Sequence, residues 1–210
     1  MHPHRQSPRH VPRSGPRLRR AAAAVILLAG LLAPLAATPA EDTLGPLLDA
    51  LATDRTATLA FEERRDDPML EFPEIRSGSL AFDPPDTLVR QVEGPRGETV
   101  HIEGDTLTLE RRGASREINL NEQPALATLA GLFRALLNGD RETLEADFEI
   151  EVTGDMEAWT LELVPRDRAL RRMVPELTLK GADGELRELV TVEAGGHHSR
   201  MRFEPPQYAD

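Results

Sequence analysis

Between Gly78 and Arg112, apolar and polar residues alternate along four short segments that are separated by turn-forming residues. The apolar positions occur in pairs, which are Leu80 with Phe82, Leu88 with Val92, Val100 with Ile102, and Leu107 with Leu109. Alternation with a period of two, interrupted by proline, glycine and aspartate, is typical of antiparallel strands joined by tight turns. The pattern therefore predicts a meander with one apolar face.

Similar patterns predict elements on both sides of the meander. Alternation predicts further strands at 56–64, 115–120, 148–152, 158–164, 176–180, 186–193 and 200–203. Apolar spacings of three and four instead predict helices at 43–52, 124–138 and 141–146, with a helical turn at 166–171. Pro124 suits a first helical turn, and Asn138 followed by Gly139 suits a C-terminal stop.

These elements amount to about nine to eleven strands, a short N-terminal helix and a helical insert in mid-chain. A long antiparallel sheet curls or closes, because strands twist and exposed edges invite aggregation. The helical insert has an apolar face that needs a surface on which to be buried. We therefore predict a mostly β (α+β) fold, a strongly curved and incomplete antiparallel β-barrel with the insert as a lid across its mouth.

The first forty residues have the features of a secretory signal peptide. Six arginines and no acid precede an apolar run at 21–37, and Thr38 and Ala40 suit signal peptidase. As a helix the run would reach about 25 Å, short of a hydrocarbon core of roughly 30 Å, so cleavage is preferred to a retained anchor. Arg19 and Arg20 leave twin-arginine export open, although Sec export is the plainer interpretation. We predict a removed signal peptide at 1–40, a single domain at 41–210 and a periplasmic location.

Composition narrows the classes of partner. The chain has no cysteine, which excludes disulfides and the lipid-anchoring residue of a lipoprotein signal. Without the six leader arginines, 19 of the 25 basic side chains remain against 36 acidic ones, a net charge of −17. This charge argues against nucleic acid and anionic membrane surfaces as partners. We expect a monomer.

Residue types that can carry catalysis lack the arrangement that catalysis needs. Asp147, Glu149 and Glu151 share a strand face, but a glycosidase needs two carboxylates across a cleft, and a solvated edge explains the run. His197 and His198 are neighbours that point to opposite faces of a strand, so they cannot readily share one metal. The sequence also lacks a phosphate-binding loop, a nucleophile elbow and zinc-ligand spacing. We predict no catalytic residue, no metal site and no cofactor.

The layout and several turn residues resemble the outer-membrane lipoprotein carrier protein family, the LolA-like proteins. The glycine-led strand of that family, its turn proline and its second proline match Gly78, Pro85 and Pro95. The strand that runs into a glycine turn matches 100–105, and 124–137 falls where the family has lid helices.

Three departures point to a divergent LolA-related member. The family arginine that ties the barrel to its lid is replaced by Pro84. The cavity aromatics of the family are replaced by Leu88, Arg90 and Val92. No further strand is predicted after Phe203.

The resemblance implies a periplasmic carrier that holds acyl chains of a lipid or lipoprotein and ferries them from an inner-membrane exporter to an outer-membrane acceptor. Each buried methylene is worth about 0.8 kcal/mol, so even partial enclosure gives a large affinity. We place the lipid-binding cavity on the concave face, at Leu59, Phe61, Leu80, Phe82, Leu88, Val92, Leu107, Leu109, Trp159, Leu161 and Leu163. We place the lid face at Leu129, Phe133, Leu136 and Leu137.

Two other functions stay open on the sequence alone. One is a periplasmic module that senses lipid or envelope state and acts through a membrane partner, although a sensor would normally carry a second domain. The other is an outer-membrane acceptor of the same architecture, which would want a lipid-anchoring cysteine.

Overall fold

A curved antiparallel sheet forms the body of the protein in a computed structural model, which describes residues 42–209. Its first half is β1 (Ala57–Asp66), β2 (Glu74–Asp83), β3 (Thr87–Val92), β4 (Glu98–Glu103), β5 (Thr106–Arg111) and β6 (Ala114–Asn119). Its second half is β7 (Phe148–Asp155), β8 (Ala158–Pro165), β9 (Glu176–Ala182), β10 (Glu185–Val192), β11 (His198–Phe203) and β12 (Gln207–Tyr208).

The strand order explains why the barrel is incomplete. Neighbouring strands run β6-β5-β4-β3-β2-β1-β11-β10-β9-β8-β7, so that β6 and β7 stand at the two ends, while β12 pairs with the start of β1. Each of these pairings is antiparallel, with a register shift between Leu186 and Glu188 of β10 where it meets β9. The predicted fold class, a curved and incomplete antiparallel barrel, is therefore confirmed.

Four helices accompany the sheet within the described range. They are α1 (Leu44–Leu51), α2 (Pro124–Asn138), α3 (Arg141–Asp147) and α4 (Arg168–Met173), with short 3-10 turns at Leu120–Glu122 and Ala194–Gly196. Helices α2 and α3 lie in the chain between β6 and β7. The insert therefore connects the two ends of the sheet, and the buried side chains of α2 pack against its inner face.

Residues at both ends of α2 fix its length. Pro124 occupies its first turn, where the missing backbone N–H costs nothing. At the other end Gly139 adopts a φ of 69°, and its N–H donates to the carbonyls of Ala135 and Leu136. Asp140 then begins α3, because its carboxylate accepts a hydrogen bond from the Thr143 amide at 3.1 Å. The predicted helix at 124–138 is confirmed residue for residue.

The apolar core contains a large and a small cluster of buried residues in residues 42–209, and α2 contributes to both. The large cluster packs α1 and α2 against β1 and β8 to β11, with Leu47, Leu132 and Leu161 almost fully buried. The small cluster joins Leu107 and Leu120 to Ala130 of α2. The insert therefore holds together two parts of the sheet that are distant in the strand order.

The far end of the chain differs from the prediction. Strand β12 was not predicted, and with it the sheet has twelve strands within the described residues, one more than the upper expectation. It contains only Gln207 and Tyr208, too short for alternation, and it forms because Ala57 and Thr58 of β1 offer it a pairing edge.

The predicted signal peptide at 1–40 and its cleavage site lie outside the described residues. Within residues 42–209, no helix combines the length and the apolar character needed to cross a membrane.

Candidate functional site

The pairing register defines the inner face of the first half of the sheet. Residues directly opposite each other on antiparallel strands project to the same face. One such row starts at Leu59 of β1 and continues through Leu80, Arg90, Val100 and Leu109. The next row starts at Ala57 and continues through Phe82, Leu88, Ile102 and Leu107.

The same reasoning extends the inner face to the second half of the sheet. From Glu63 the row runs through Met201, Leu189, Leu179 and Leu161. Trp159 and Leu163 flank Leu161 at a spacing of two and therefore share its face. The structure thus brings all eleven predicted cavity residues onto one face of one sheet. That they bind lipid stays a prediction.

Helices cover this face in the conformation described. Nine of the eleven predicted cavity residues are buried, while Leu80 and Leu109 are partly exposed. The cover comes from α1, through Leu44, Leu47 and Leu48, and from α2. In this state the face serves as packed core.

The predicted lid residues lie on or beside the covering side of α2. Leu136 is buried in the large cluster, and Leu129 and Phe133 pack against it while remaining partly exposed. Leu137 lines the apolar cavity described next. The prediction missed Leu132, which is only 1% exposed and lies one helical turn before Leu136. The spacing of four between these two leucines was a signal that could have found it.

An apolar cavity remains between the helices and the inner face. It has a volume of about 70 Å³, and its wall includes Leu59, Leu80 and Phe82 of the sheet with Phe133 and Leu136 of α2. This is far smaller than the roughly 300–1,000 Å³ of a typical small-molecule pocket. A long acyl chain fits only if a helix moves away from the sheet.

A buried polar network interrupts the inner face beside Phe61. Glu63 is 3% exposed, and its carboxylate accepts hydrogen bonds from the Ser199 hydroxyl at 2.5 Å and from Arg90 Nη2 at 2.6 Å. The Arg90 guanidinium also reaches Glu98 at 3.4 Å and lies 5.2 Å from the centre of the Phe61 ring. The inner face therefore has an apolar part under the helices and a polar part formed around Glu63.

This network was not predicted from the sequence. The sequence did contain an indication, since Glu63 follows Leu59 and Phe61 at intervals of two along the same strand and therefore projects to the same inner face. Arg90 likewise lies between Leu88 and Val92, two positions assigned to the inner face. Ser199 gave no comparable signal.

Polar side chains on α2 tether it to two turns of the sheet. Arg134 donates from Nε to the Asp86 carbonyl at 2.9 Å and from Nη2 to the Gly104 carbonyl at 2.6 Å. Asn138 donates from Nδ2 to the Pro85 carbonyl at 2.8 Å. The family arginine that ties the barrel to its lid is replaced here by Pro84, and Arg134 of the lid helix makes a tie between the two instead. Arg134 is the one charged residue in the sequence of α2, and this was a usable signal.

Glu149 and Glu151 lie on β7 at one end of the sheet, but Asp147 is the last residue of α3, so the prediction that the three carboxylates share one strand face was wrong. Glu149 is exposed and lies 3.6 Å from Arg171 and 3.9 Å from Arg166. His197 lies 3.5 Å from Asp67. Across the part of the chain that the structure describes, histidine and acidic side chains form no cluster of three that could hold a metal ion.

One family model and several solved structures match the chain. A family model described as outer membrane lipoprotein carrier protein LolA-like matches residues 36–203. None of the curated proteins matches the sequence.

Several solved structures match the chain at low identity and with TM-scores below 0.5. A LolA superfamily protein from Nitrosomonas europaea is 14% identical with a TM-score of 0.43, and the match covers 80% of this chain and 92% of that one. Lipoprotein LppX from Mycobacterium tuberculosis is 9% identical with a TM-score of 0.40, covering 78% and 94%. A MucA/MucB complex from Pseudomonas aeruginosa matches at 15% identity and a TM-score of 0.37, covering 80% and 57%.

Proposed function

Since this chain belongs to the outer membrane lipoprotein carrier protein LolA-like family, we propose that it is a periplasmic carrier for acyl chains of a lipid or lipoprotein. The cargo would lie between the inner face of the sheet and helix α2. The observation that carries this proposal is the shared inward direction of eleven apolar side chains under a helix tethered by separate polar contacts. We assign no catalytic role to any residue.

Loading requires an exchange of apolar contacts. In the closed form, Leu132, Phe133 and Leu136 of α2 cover the surface that an acyl chain would cover. A chain that enters regains about 0.8 kcal/mol for each methylene it buries, which offsets the contacts that α2 gives up. Because the acyl chain and α2 compete for the same surface, the net free energy of loading is small enough for an acceptor to reverse it.

The charge of the protein suits transport between membranes. A net charge of −17 over residues 41–210 keeps the carrier away from anionic lipid surfaces while it holds an apolar cargo. Binding at each membrane would then depend on specific partners, an exporter in the inner membrane and an acceptor in the outer one.

The proposal predicts that Leu80→Gln weakens binding of a fluorescent fatty-acid probe by about tenfold, since it places an amide in the apolar cavity. Leu80 suits this test because it is only partly buried, so the substitution disturbs folding less than a change at Leu161 would. The measurement is a fluorescence titration of residues 41–210, together with native mass spectrometry of the purified protein for retained lipid.

The matched control is Ala81→Gln, which places the same amide on the opposite face of the same strand and leaves probe affinity unchanged. If the wild-type protein retains no lipid and shows no saturable probe binding, the carrier proposal is wrong.

A second function, a module that acts through a membrane protein, is favoured by the loop between β1 and β2. Three large apolar side chains are exposed there, namely Met69 at 88%, Phe72 at 74% and Leu70 at 55%, and Ile75 at the beginning of β2 is exposed at 53%. The loop is folded, because the Leu70 amide donates to the Asp67 carbonyl at 2.9 Å. Clustered exposed apolar groups mark surfaces that contact other molecules.

We expect benzoylphenylalanine at position 72 to form a photo-crosslink to a membrane protein in cells, since its ring would enter that partner. The same group at Met173, an exposed residue of α4, is the control. Mass spectrometry of the product separates the functions, because an exporter subunit supports a carrier and a membrane-bound regulator supports a sensor. A yield at position 72 no higher than at position 173 excludes this loop as the contact.

A further inference from the structure

A row of four side chains crosses the outer face of the sheet from β2 through β1 and β11 to β10. Ile75 lies opposite Arg64, and Arg64 lies opposite Arg200. Arg200 in turn lies opposite Val190. The row faces outward, because Arg64 follows the inward-facing Glu63 by one position. It therefore places two cationic groups between two apolar ones, over about 14 Å at about 4.8 Å between strands.

The row lines a groove on this outer face. The groove has a volume of about 650 Å³, within the roughly 300–1,000 Å³ typical of binding pockets. Its charged side chains are Arg64, Arg200 and Arg202 against Glu62 and Asp66. With the histidine of the groove neutral, this is an excess of one positive charge, whereas residues 41–210 as a whole carry −17. The groove is therefore a positive site on an acidic protein.

Arg200 has no carboxylate of its own among the described residues. It reaches only Glu188, at 4.0 Å, and its side chain is 50% exposed. Glu188 is shared with Arg202 at 3.4 Å and with Lys180 at 3.9 Å. One carboxylate thus serves three cations, so the Arg200 guanidinium can still bind an anion from outside the chain.

The arrangement of Arg64 opposite Arg200 does not serve stability. Like charges directly opposite each other on paired strands are destabilising. Asp66 compensates Arg64, since its carboxylate accepts hydrogen bonds from Nε at 3.1 Å and from Nη2 at 2.9 Å. Within residues 42–209, no comparable pair of hydrogen bonds compensates Arg200. An anion bound beside Arg200 would relieve the repulsion, and this points to a ligand.

The groove is continuous with the exposed loop between β1 and β2. Asp66 precedes this loop and Ile75 follows it, and both line the groove. Met69 and Phe72 of the loop are 88% and 74% exposed. A molecule that covers the loop therefore also reaches the two arginines of the row.

We propose that the groove binds an acidic segment of the protein that the loop contacts. Carboxylates of this segment bind Arg200 and Arg64, and its apolar side chains contact Ile75 and Phe72. This inference rests on the proposed contact between the loop and a membrane protein, and it specifies the chemistry of that partner's surface as acidic with apolar residues beside the acids.

The shape and the charge of the protein favour a protein segment over a lipid surface. A row of about 14 Å accommodates one helix about 10–12 Å wide or a pair of strands. A bilayer surface is flat and would contact only the rim of the groove. An anionic bilayer would also be repelled by the net charge of −17 over residues 41–210.

The first test compares two end-blocked peptides in which leucine alternates with glutamate or with glutamine. We expect the glutamate peptide to bind about five- to tenfold more tightly, since two exposed ion pairs separate the two peptides. Nuclear magnetic resonance of the labelled protein should show shifts of amides in β1 and β11. The difference between the peptides should shrink as salt is added, because salt screens exposed charges.

Arg200→Gln removes the cation that lacks a carboxylate, and we expect it to lose most of the advantage of the glutamate peptide. Arg200→Lys keeps the charge and should keep most of this advantage. The matched control is Arg116→Gln on β6, five positions from β1 in the strand order, which should bind both peptides as the wild-type protein does. In urea, Arg200→Gln should unfold at the same or a higher concentration, because the repulsion with Arg64 is gone.

The second test places benzoylphenylalanine at Val190, which lines the groove and leaves both arginines in place. In cells we expect it to crosslink the same protein as position 72, and mass spectrometry should map the crosslinked peptide to a segment rich in aspartate and glutamate. A crosslinked peptide without acidic residues overturns the proposal.

The outcomes separate the groove from the loop. Equal binding of the two peptides, or an Arg200→Gln protein that is less stable and binds as before, overturns the groove while a crosslink at position 72 upholds the loop contact. A failed crosslink at position 72 with binding of the glutamate peptide that depends on Arg200 rejects the loop contact and supports the groove. Binding of phosphatidylglycerol vesicles that Arg200→Gln abolishes would assign the groove to a lipid surface and overturn the proposal.

Discussion

Replacing Glu63 by alanine is expected to lower the free energy of unfolding by about 3–5 kcal/mol, because it removes one partner of a buried ion pair. The Glu63 carboxylate binds both Arg90 and Ser199, and it is 3% exposed. Without it, the Arg90 guanidinium keeps the longer contact with Glu98 and its position over the Phe61 ring, and the Ser199 hydroxyl loses its acceptor. Since domains of this size are stable by about 5–15 kcal/mol, the loss is more than half of the stability at the lower end of that range.

Urea denaturation followed by circular dichroism measures this effect. The matched control is Glu62→Ala, one residue earlier on the outer, exposed face of the same strand, where a change within about 0.5 kcal/mol is expected. Glu63→Gln should lie between the two, because an amide oxygen still accepts one hydrogen bond but carries no charge. A loss below about 1 kcal/mol in Glu63→Ala would show that water replaces the carboxylate and that the network is not closed.

The second large effect concerns the tether of α2 to the sheet. Arg134→Ala removes both hydrogen bonds from the guanidinium to the carbonyls of Asp86 and Gly104. Hydrogen bonds of charged groups contribute about 1.5–3 kcal/mol, so the population with α2 detached should rise on the order of ten- to a hundredfold. The apolar contacts of Leu132 and Leu136 remain, and the sheet should keep its structure.

Hydrogen exchange of the α2 amides is the direct measurement, since faster exchange there with unchanged exchange in β8 to β10 reports local opening. The acyl probe should also associate faster with Arg134→Ala than with the wild-type protein. Arg116→Ala, on the exposed part of β6, removes the same charge without touching α2 and is the control. Unchanged exchange in α2 would mean that the apolar contacts alone hold the helix.

The fold could be predicted well from the sequence where the spacing of apolar residues is accompanied by residues that begin or end an element. Helix α2 was predicted to the residue, because Pro124 and Gly139 mark its two ends and the spacing of its leucines fills the interval. The inner-face positions were predicted because alternation alone assigns a face to every strand residue. Strand β12 was missed because its formation depends on a partner far away in the sequence, Ala57 and Thr58.

The candidate site was less accessible to sequence reasoning for a related reason. Alternation says which side chains project inward, but the space between them depends on how closely α2 approaches, and this is set by tertiary contacts such as those of Arg134. Glu63 could have been assigned to the inner face by parity, whereas its partner Ser199 comes from a strand 136 positions later.

The open ends of the sheet at β6 and β7 have a consequence for the size of the cargo. Within the described residues, strand pairing runs from one end of the order to the other without a bond that closes the ring. The gap between these strands can therefore widen without the loss of a single ladder hydrogen bond, whereas a closed barrel would have to break several. The segment that contains α2 and α3 connects β6 to β7, and its fixed length limits how far they can separate. Such a sheet would let the proposed carrier hold thin or thick cargoes, up to the limit that the segment of α2 and α3 allows.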